Sequence, residues 1–169
     1  KLRLTGGLVA FAFSRLGRFR GGPAKAAVVS SGMTGMISGS SVANVVTTGV
    51  FTIPLMKRVG YTPTQAGAIE CAAGVNGQLM PPVMGASAFI MAELLQVSYG
   101  AVCIAAAIPA LLYYACLFMH VDLEAARSKI GAATIEGAPS IGEVFRSGWH
   151  FLVPISFLVA ALIYPEVFR

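Results

Sequence analysis

Charge is what this sequence has least of. Only 11% of its 169 residues are Asp, Glu, Lys or Arg, against 56% hydrophobic residues, and the mean hydropathy is +0.76. A water-soluble domain carries about a quarter charged residues. The shortage excludes an ordinary soluble surface and makes lipid the natural solvent. Cysteine is scarce too. Cys71, Cys103 and Cys116 each lie within an apolar run, without CxxC spacing or a neighbouring histidine. That excludes a disulfide framework and a zinc site and leaves them as small buried hydrophobes. His120 and His150 are the only histidines, and both sit beside expected membrane boundaries. The patterns GxSxG, HExxH and GxxxxGK[ST] are missing, as are paired intramembrane aspartates, so the chain is read as non-enzymatic.

The net charge of +5 does not point to nucleic acid. Arg15, Arg18, Arg20 and Lys25 end one apolar run and Lys57 and Arg58 end another, with no base-stacking aromatics interleaved. Short basic clusters beside apolar segments mark cytoplasmic loops of a membrane protein. The chain opens on Lys1 inside an apolar run and is read as a piece of a longer transporter.

What is present is a series of apolar runs of unequal length. Residues 1–19 read as the end of a transmembrane helix. Residues 24–57 hold two arms, Ala24 to Ile37 and Val42 to Met56, each shorter than the ~20 residues needed to cross the hydrocarbon core. Basic residues stand at both outer ends, so both ends belong on the cytoplasmic side. A re-entrant helical hairpin turning at Ser38–Asn44 follows, with two tilted full spans as the alternative. Residues 63–96 form a second helix, with Thr62 as N-cap and Pro63 in its first turn. Its middle, Gly74 to Pro82, lacks two backbone donors at Pro81 and Pro82 and reads as a broken transmembrane helix. Residues 99–119 form an ordinary span with Pro109 inside. Residues 120–147 form a charged cytoplasmic loop with an amphipathic helix. Residues 148–165 form a last span opening at Trp149 and His150.

Function concentrates at the two breaks. The stretch Gly39 to Gly49 packs Ser40, Ser41, Asn44, Thr47 and Thr48 into apolar surroundings. Hydroxyl, amide and freed carbonyl oxygens suit a small monovalent cation, and helix N-termini suit a carboxylate. The second break adds Asn76, Gln78 and the carbonyls before Pro81 and Pro82. The competing reading is close packing of transmembrane helices, with Gly35 and Gly39 as a GxxxG pair. A channel lacks the continuous row of pore-lining polar residues it requires. Glu70 and Glu93 are carboxylates within apolar segments and candidates for carrying a proton or cation. Glu93 lies near a helix end, and Glu70 is within reach of Lys57 or Arg58. Met33, Met36, Met56, Met80, Met84 and Met91 read as core fillers.

The string SGSSVANVVTTGVFTIPLMKRVGY (Ser38–Tyr61), followed by AGAIE (Ala66–Glu70), GQLMPPVMGASAFIMAE (Gly77–Glu93) and IPALLYY (Ile108–Tyr114), resembles the large membrane subunit of TRAP transporters. Fused permeases, with small and large subunits in one chain, are the most similar. The resemblance implies an all-α polytopic membrane protein and half of an inverted-repeat transport domain of the ion-transporter superfamily, moving like an elevator. It implies uptake of organic acids (carboxylates) delivered by a periplasmic solute-binding protein, of the TAXI type in many fused permeases. It further implies coupling to an ion gradient across the bacterial inner membrane. Gly39, Ser40, Ser41, Asn44, Gly77, Gln78, Pro81 and Pro82 match the family's first hairpin tip and first broken helix.

Together these readings give substrate-binding candidates Ser40, Ser41, Asn44, Asn76, Pro81 and Pro82. The ion-binding candidates are Gly39, Ser41, Asn44, Gly77 and Gln78. Where many relatives carry Ala-Ser-Thr-Gly-Gly before the Gln, this chain has Ala73-Gly74-Val75-Asn76-Gly77. Two hydroxyls give way to an amide, which leaves both Na+ and H+ open as the coupling ion. The alternative function is a non-transporting membrane anchor or assembly module whose Gly/Ser motifs serve only packing.

Overall fold

The computed structural model describes residues 19–131, together with Ala12, Leu16, Gly17, Ser156, Phe157 and Ala160. Most of the expected helix tail over 1–19, the segment 132–147 and most of the last span, including Trp149 and His150, lie outside the described residues. Five helices form the described body: α1 (Gly22–Ser38), α2 (Ser41–Arg58), α3 (Pro63–Gly77), α4 (Ala86–Leu95) and α5 (Tyr99–Arg127).

Two residues reverse the chain between α1 and α2. Gly39 takes the left-handed conformation (φ 62°) and returns its N–H to the Gly35 carbonyl at 2.9 Å. Ser40 then caps α2, its Oγ accepting from the Ala43 N–H. The turn is therefore tighter than the expected Ser38–Asn44, and Asn44 already lies in the first turn of α2. Contacts of Ser31 with Thr48, and of Ala26 with the Phe51–Leu55 stretch, make the two helices antiparallel. The pair is a helical hairpin with its tip at Gly39 and Ser40.

A capping box starts α3. Thr62 Oγ1 accepts from the Gln65 N–H at 3.2 Å, while Gln65 Oε1 accepts from the Thr62 N–H at 3.0 Å. The α3 helix lies along both arms of the hairpin, parallel to α1, because Gly35 meets Gly77 near one end and Ser31 meets Glu70 further back. Small side chains permit this closeness. Ala24, Ala27, Ala66 and Ala73 are fully buried with Val28, Met56 and Tyr61. In lipid, helices associate through such van der Waals contact and not through the hydrophobic effect.

The break after α3 falls at Gln78–Gly85, later than the expected Gly74–Pro82. Gly74 and Gly77 stay helical because they serve close packing. Pro81 and Pro82 interrupt the chain, and the Gly85 N–H closes the loop onto the Gln78 carbonyl at 2.7 Å.

The last described helix, α5, does not stop at Met119. It runs to Arg127 and takes in residues 120–127 of the stretch expected as a loop with an amphipathic helix. Val121 and Ala125 are fully buried against the open end of the hairpin. Asp122 accepts from Lys25 Nζ at 2.5 Å and from Arg20 at 2.9 Å, and Glu124 Oε1 accepts from Gln65 Nε2 at 2.6 Å. Lys25, counted among the basic residues at the cytoplasmic end of the hairpin, is buried under Phe118, 5.4 Å from its ring centre. Removing one partner of a buried pair strands the other charge. Asp122→Ala is therefore expected to lower the melting temperature of the full-length protein more than Lys25→Met does. The double variant should recover part of the Asp122→Ala loss, and equal effects of the two single changes would argue against the clasp.

Among the described helices only α5, at 29 residues, is long and apolar enough to cross a bilayer. The hairpin arms and α3, at 17, 18 and 15 residues, fall short of ~20. Ile104, Ile108, Leu111 and Leu112 stand exposed along α5, as do Val42, Val46 and Val50 along α2. The cysteines share these outer faces: Cys71 and Cys116 are exposed and Cys103 is half-buried, against the expectation that all three are buried. The reason is their register, since the inner face of α3 is taken by Ala66, Ile69, Glu70, Ala73 and Gly77 and that of α5 by Val102, Ala110, Val121 and Ala125. Of the methionines expected in the core, only Met56 and Met84 are fully covered.

Candidate functional site

The two interruptions meet. Gly39 at the hairpin tip lies directly against the carbonyl of Met84, and a Cβ on Gly85 would stand 3.1 Å from the Gly39 carbonyl. One turn deeper, Gly35 and Gly77 touch through their backbones. A Cβ on either would come within 2.5 or 2.7 Å of the other's Cα. The C-terminal ends of the parallel helices α1 and α3 are thereby brought side by side. Opposite them, α2 starts at Ser41 and α4 at Ala86, the latter with no side-chain cap. Carbonyl-rich, negative helix ends and N–H-rich, positive ones share one small region.

Asn44 sits inside this crossing and is fully buried. Its Nδ2 donates to the Ser31 carbonyl at 2.8 Å and to Ser31 Oγ at 3.1 Å. Gly35, Gly74 and Gly77 surround the amide, and their absent side chains make its room. Asn44 Oδ1 is buried without a hydrogen-bond partner. An orphaned acceptor costs about 1–3 kcal/mol, and a small cation offsets that cost by accepting the amide oxygen as a ligand. An amide oxygen is a hard, neutral donor of the kind that small monovalent cations take.

The other candidates divide. Ser40 and Ser41 lie at the tip; Ser40 is exposed and occupied with capping, and Ser41 is half-buried. Gly39 and Gly77 are the close-contact glycines. Gln78 follows the end of α3, half-buried, with its carbonyl holding Gly85. Pro81 and Pro82 form the outer part of the break. The carbonyls of Pro82 and Val83 accept from the Tyr99 hydroxyl at 3.0 and 2.5 Å, which ties the break to α5. Asn76 does not join Asn44. It is buried on the other side of α3, where its Nδ2 donates to the Ala110 carbonyl of α5 at 3.2 Å. Neighbouring positions on a helix point about 100° apart, so Gly77 facing the hairpin turns Asn76 toward α5. An apolar groove of about 460 Å³ between the break, α4 and α5 is lined by Leu79, Met84, Ala88, Met91 and Val102 with Gln78 at its edge. It offers little to a charged ligand.

The sequence reading of Glu70 changes. It is fully buried, and Lys57 and Arg58 are exposed at the far end of α2. Its partners are hydroxyls: Thr52 Oγ1 lies 2.6 Å from Oε2 and Ser31 Oγ 3.2 Å from Oε1, with Thr48 Oγ1 also against Oε1. Ser31 and Thr52 were not among the expected site residues. The signal that finds Thr52 is register, since Asn44, Thr48 and Thr52 recur every fourth residue and form one polar stripe on an apolar helix. Glu93 is exposed near the end of α4.

The model of the family "Tripartite ATP-independent periplasmic transporter, DctM component" matches residues 2–166. A C4-dicarboxylate TRAP transporter large permease protein, DctM, of Pseudomonas aeruginosa is 35% identical over 132 residues, covering 76% of this chain and 30% of the relative. Its counterpart in Vibrio cholerae is 43% identical over 82 residues, 46% of this chain and 18% of the relative. The chain thus spans less than a third of the length of these relatives. On this match, carried across the hairpin, the break and the helices around them, the chain belongs to the DctM family of large membrane permease components of TRAP transporters.

Proposed function

We propose that the chain forms half of the transport domain of a TRAP-type permease in the bacterial inner membrane. The intact protein takes up an organic acid, a carboxylate handed over by a periplasmic solute-binding protein, using an ion gradient. The TAXI type of binding protein fits the likeness to fused permeases. The second half of the site comes from the inverted repeat that this stretch lacks. The observation that carries the reading is the unpaired Oδ1 of buried Asn44 beside two converging helix C-termini. Packing alone accounts for Gly35 and Gly77 but leaves that oxygen without a purpose, which disfavours the anchor module. Sodium is the coupling ion this oxygen suits, and the N-terminal ends of α2 and α4 suit the substrate carboxylate.

Depth supports a re-entrant hairpin. The Asn76–Ala110 bond near the tip lies twelve residues along α5 from Asp122, roughly 18 Å at 1.5 Å per residue. That is about half of a ~30 Å hydrocarbon core. The test uses the full-length permease with its native cysteines replaced and single cysteines at Phe19, Lys57 or Ser41, labelled with a membrane-impermeant thiol reagent. Phe19→Cys and Lys57→Cys are expected to react only from the cytoplasmic side, and sodium is expected to slow labelling at Ser41→Cys. Reaction of the first two from opposite faces overturns the hairpin. Labelling at position 41 that ignores sodium overturns the ion site.

A further inference from the structure

The three hydroxyls around Glu70 sort its two oxygens into different roles. Thr52 Oγ1 stands 2.6 Å from Glu70 Oε2 and 3.0 Å from the Thr48 carbonyl, and it owns a single proton for the two contacts. If Glu70 is a carboxylate, one of those close oxygen pairs has no hydrogen between its members. If Glu70 is a carboxylic acid, the Thr52 contacts are both supplied with a hydrogen. Oε2–H donates to Thr52 Oγ1, and Thr52 donates onward to the Thr48 carbonyl. Oε1, as the carbonyl oxygen, then accepts from Ser31 Oγ at 3.2 Å, while Thr48 Oγ1 shares its one proton between Oε1 and the Asn44 carbonyl at 2.8 Å.

The surroundings point the same way. Glu70 is wholly covered by α1 and α2, where Ser31, Thr48, Gly49 and Thr52 contact it. No cation is among those contacts. Lys25 on α1 is engaged with Asp122, and Lys57 and Arg58 are exposed in the last turn of α2. From α5 the titratable group that faces it is Tyr114, whose hydroxyl donates to the Ala73 carbonyl at 2.9 Å. A fully buried charge without a counter-charge costs several kcal/mol, and the group takes up a proton instead.

We propose that Glu70 is a proton-binding site of the α1–α2–α3 core, occupied as Glu70–COOH in the arrangement described. Proton release leaves a carboxylate and one H+, and the Thr52 hydroxyl then turns its proton from the Thr48 carbonyl to Oε2. The site adjoins the Asn44 crossing through Ser31, whose Oγ lies 3.1 Å from Asn44 Nδ2 and 3.2 Å from Glu70 Oε1, and it stands without the transport reading.

The test is infrared difference spectroscopy of the full-length permease in liposomes at neutral pH, wild type minus Glu70→Gln. A glutamine keeps a donor toward Thr52, so the fold is expected to persist. The expected result is a protonated-carboxyl C=O stretch that is present in the wild type and lost in Glu70→Gln. Thr52→Val, with Glu70 intact, is expected to shift that same band by removing its acceptor. Carboxylate stretches in place of the C=O band, with or without sodium, overturn the proposal. If Glu70→Gln yields no folded protein, Thr52→Val decides alone. A shifted C=O band supports the site, and changes confined to carboxylate bands overturn it. The measurement needs no substrate, so it reads Glu70 even if sodium has no effect at position 41.

Discussion

Gly35→Leu is expected to prevent the permease from folding, and Gly35→Ala alone to lower its melting temperature steeply. The reason is the identity of the neighbour. A Cβ at position 35 would lie 2.5 Å from the Cα of Gly77 and 3.0 Å from Asn44 Nδ2. Flexible side chains yield to an added methyl, but a helix backbone does not. Overpacking a rigid contact costs about 1–3 kcal/mol, and backbone against backbone belongs at or above the upper end. Gly67→Ala is the control, because nothing lies within 4 Å of a Cβ there. It is expected to be neutral or stabilising by about 0.5–1 kcal/mol through helix propensity. Thermal unfolding of the purified full-length protein measures both. If Gly35→Ala melts like Gly67→Ala, α1 and α3 do not cross at these glycines, and the proximity of the two breaks goes with them.

Asn44→Leu separates stability from ion binding at the same crossing. Leucine keeps the branching of asparagine with bulkier methyls and removes the orphaned Oδ1, which offsets part of the loss of the Nδ2 bonds to Ser31. The melting temperature is therefore expected to change less than in Gly35→Ala. The sodium concentration that half-protects Ser41→Cys from labelling is expected to rise at least about tenfold, the equivalent of about 1.4 kcal/mol for one lost ligand. A variant that loses stability while keeping sodium protection would make Asn44 a packing residue. It would also return the polar tip to the anchor reading.

The sequence by itself determined the solvent, the helices and where they fail. Its low charge places the chain in lipid, and Thr62 with Pro63 announces the start of α3. Gly39-Ser40 and Pro81-Pro82 announce the two breaks, because each is a local backbone fact that any surroundings must accept. Boundaries were less legible. The α5 helix continues past Met119 because Val121 and Ala125 find cover and Asp122 finds Lys25, and a hydropathy pattern contains neither partner.

The membership of the site was decided by tertiary structure alone. Asn44 and Asn76 look equivalent as amides in polar breaks. Helical phase turns one toward Ser31 and the other toward α5. Glu70 has basic residues within reach along the sequence, yet its neighbours in space are Ser31, Thr48 and Thr52 from two other helices. Pairings between residues 18 to 39 positions apart depend on how closely helices approach. That distance was set here by glycines whose missing side chains matter only once a partner lies against them.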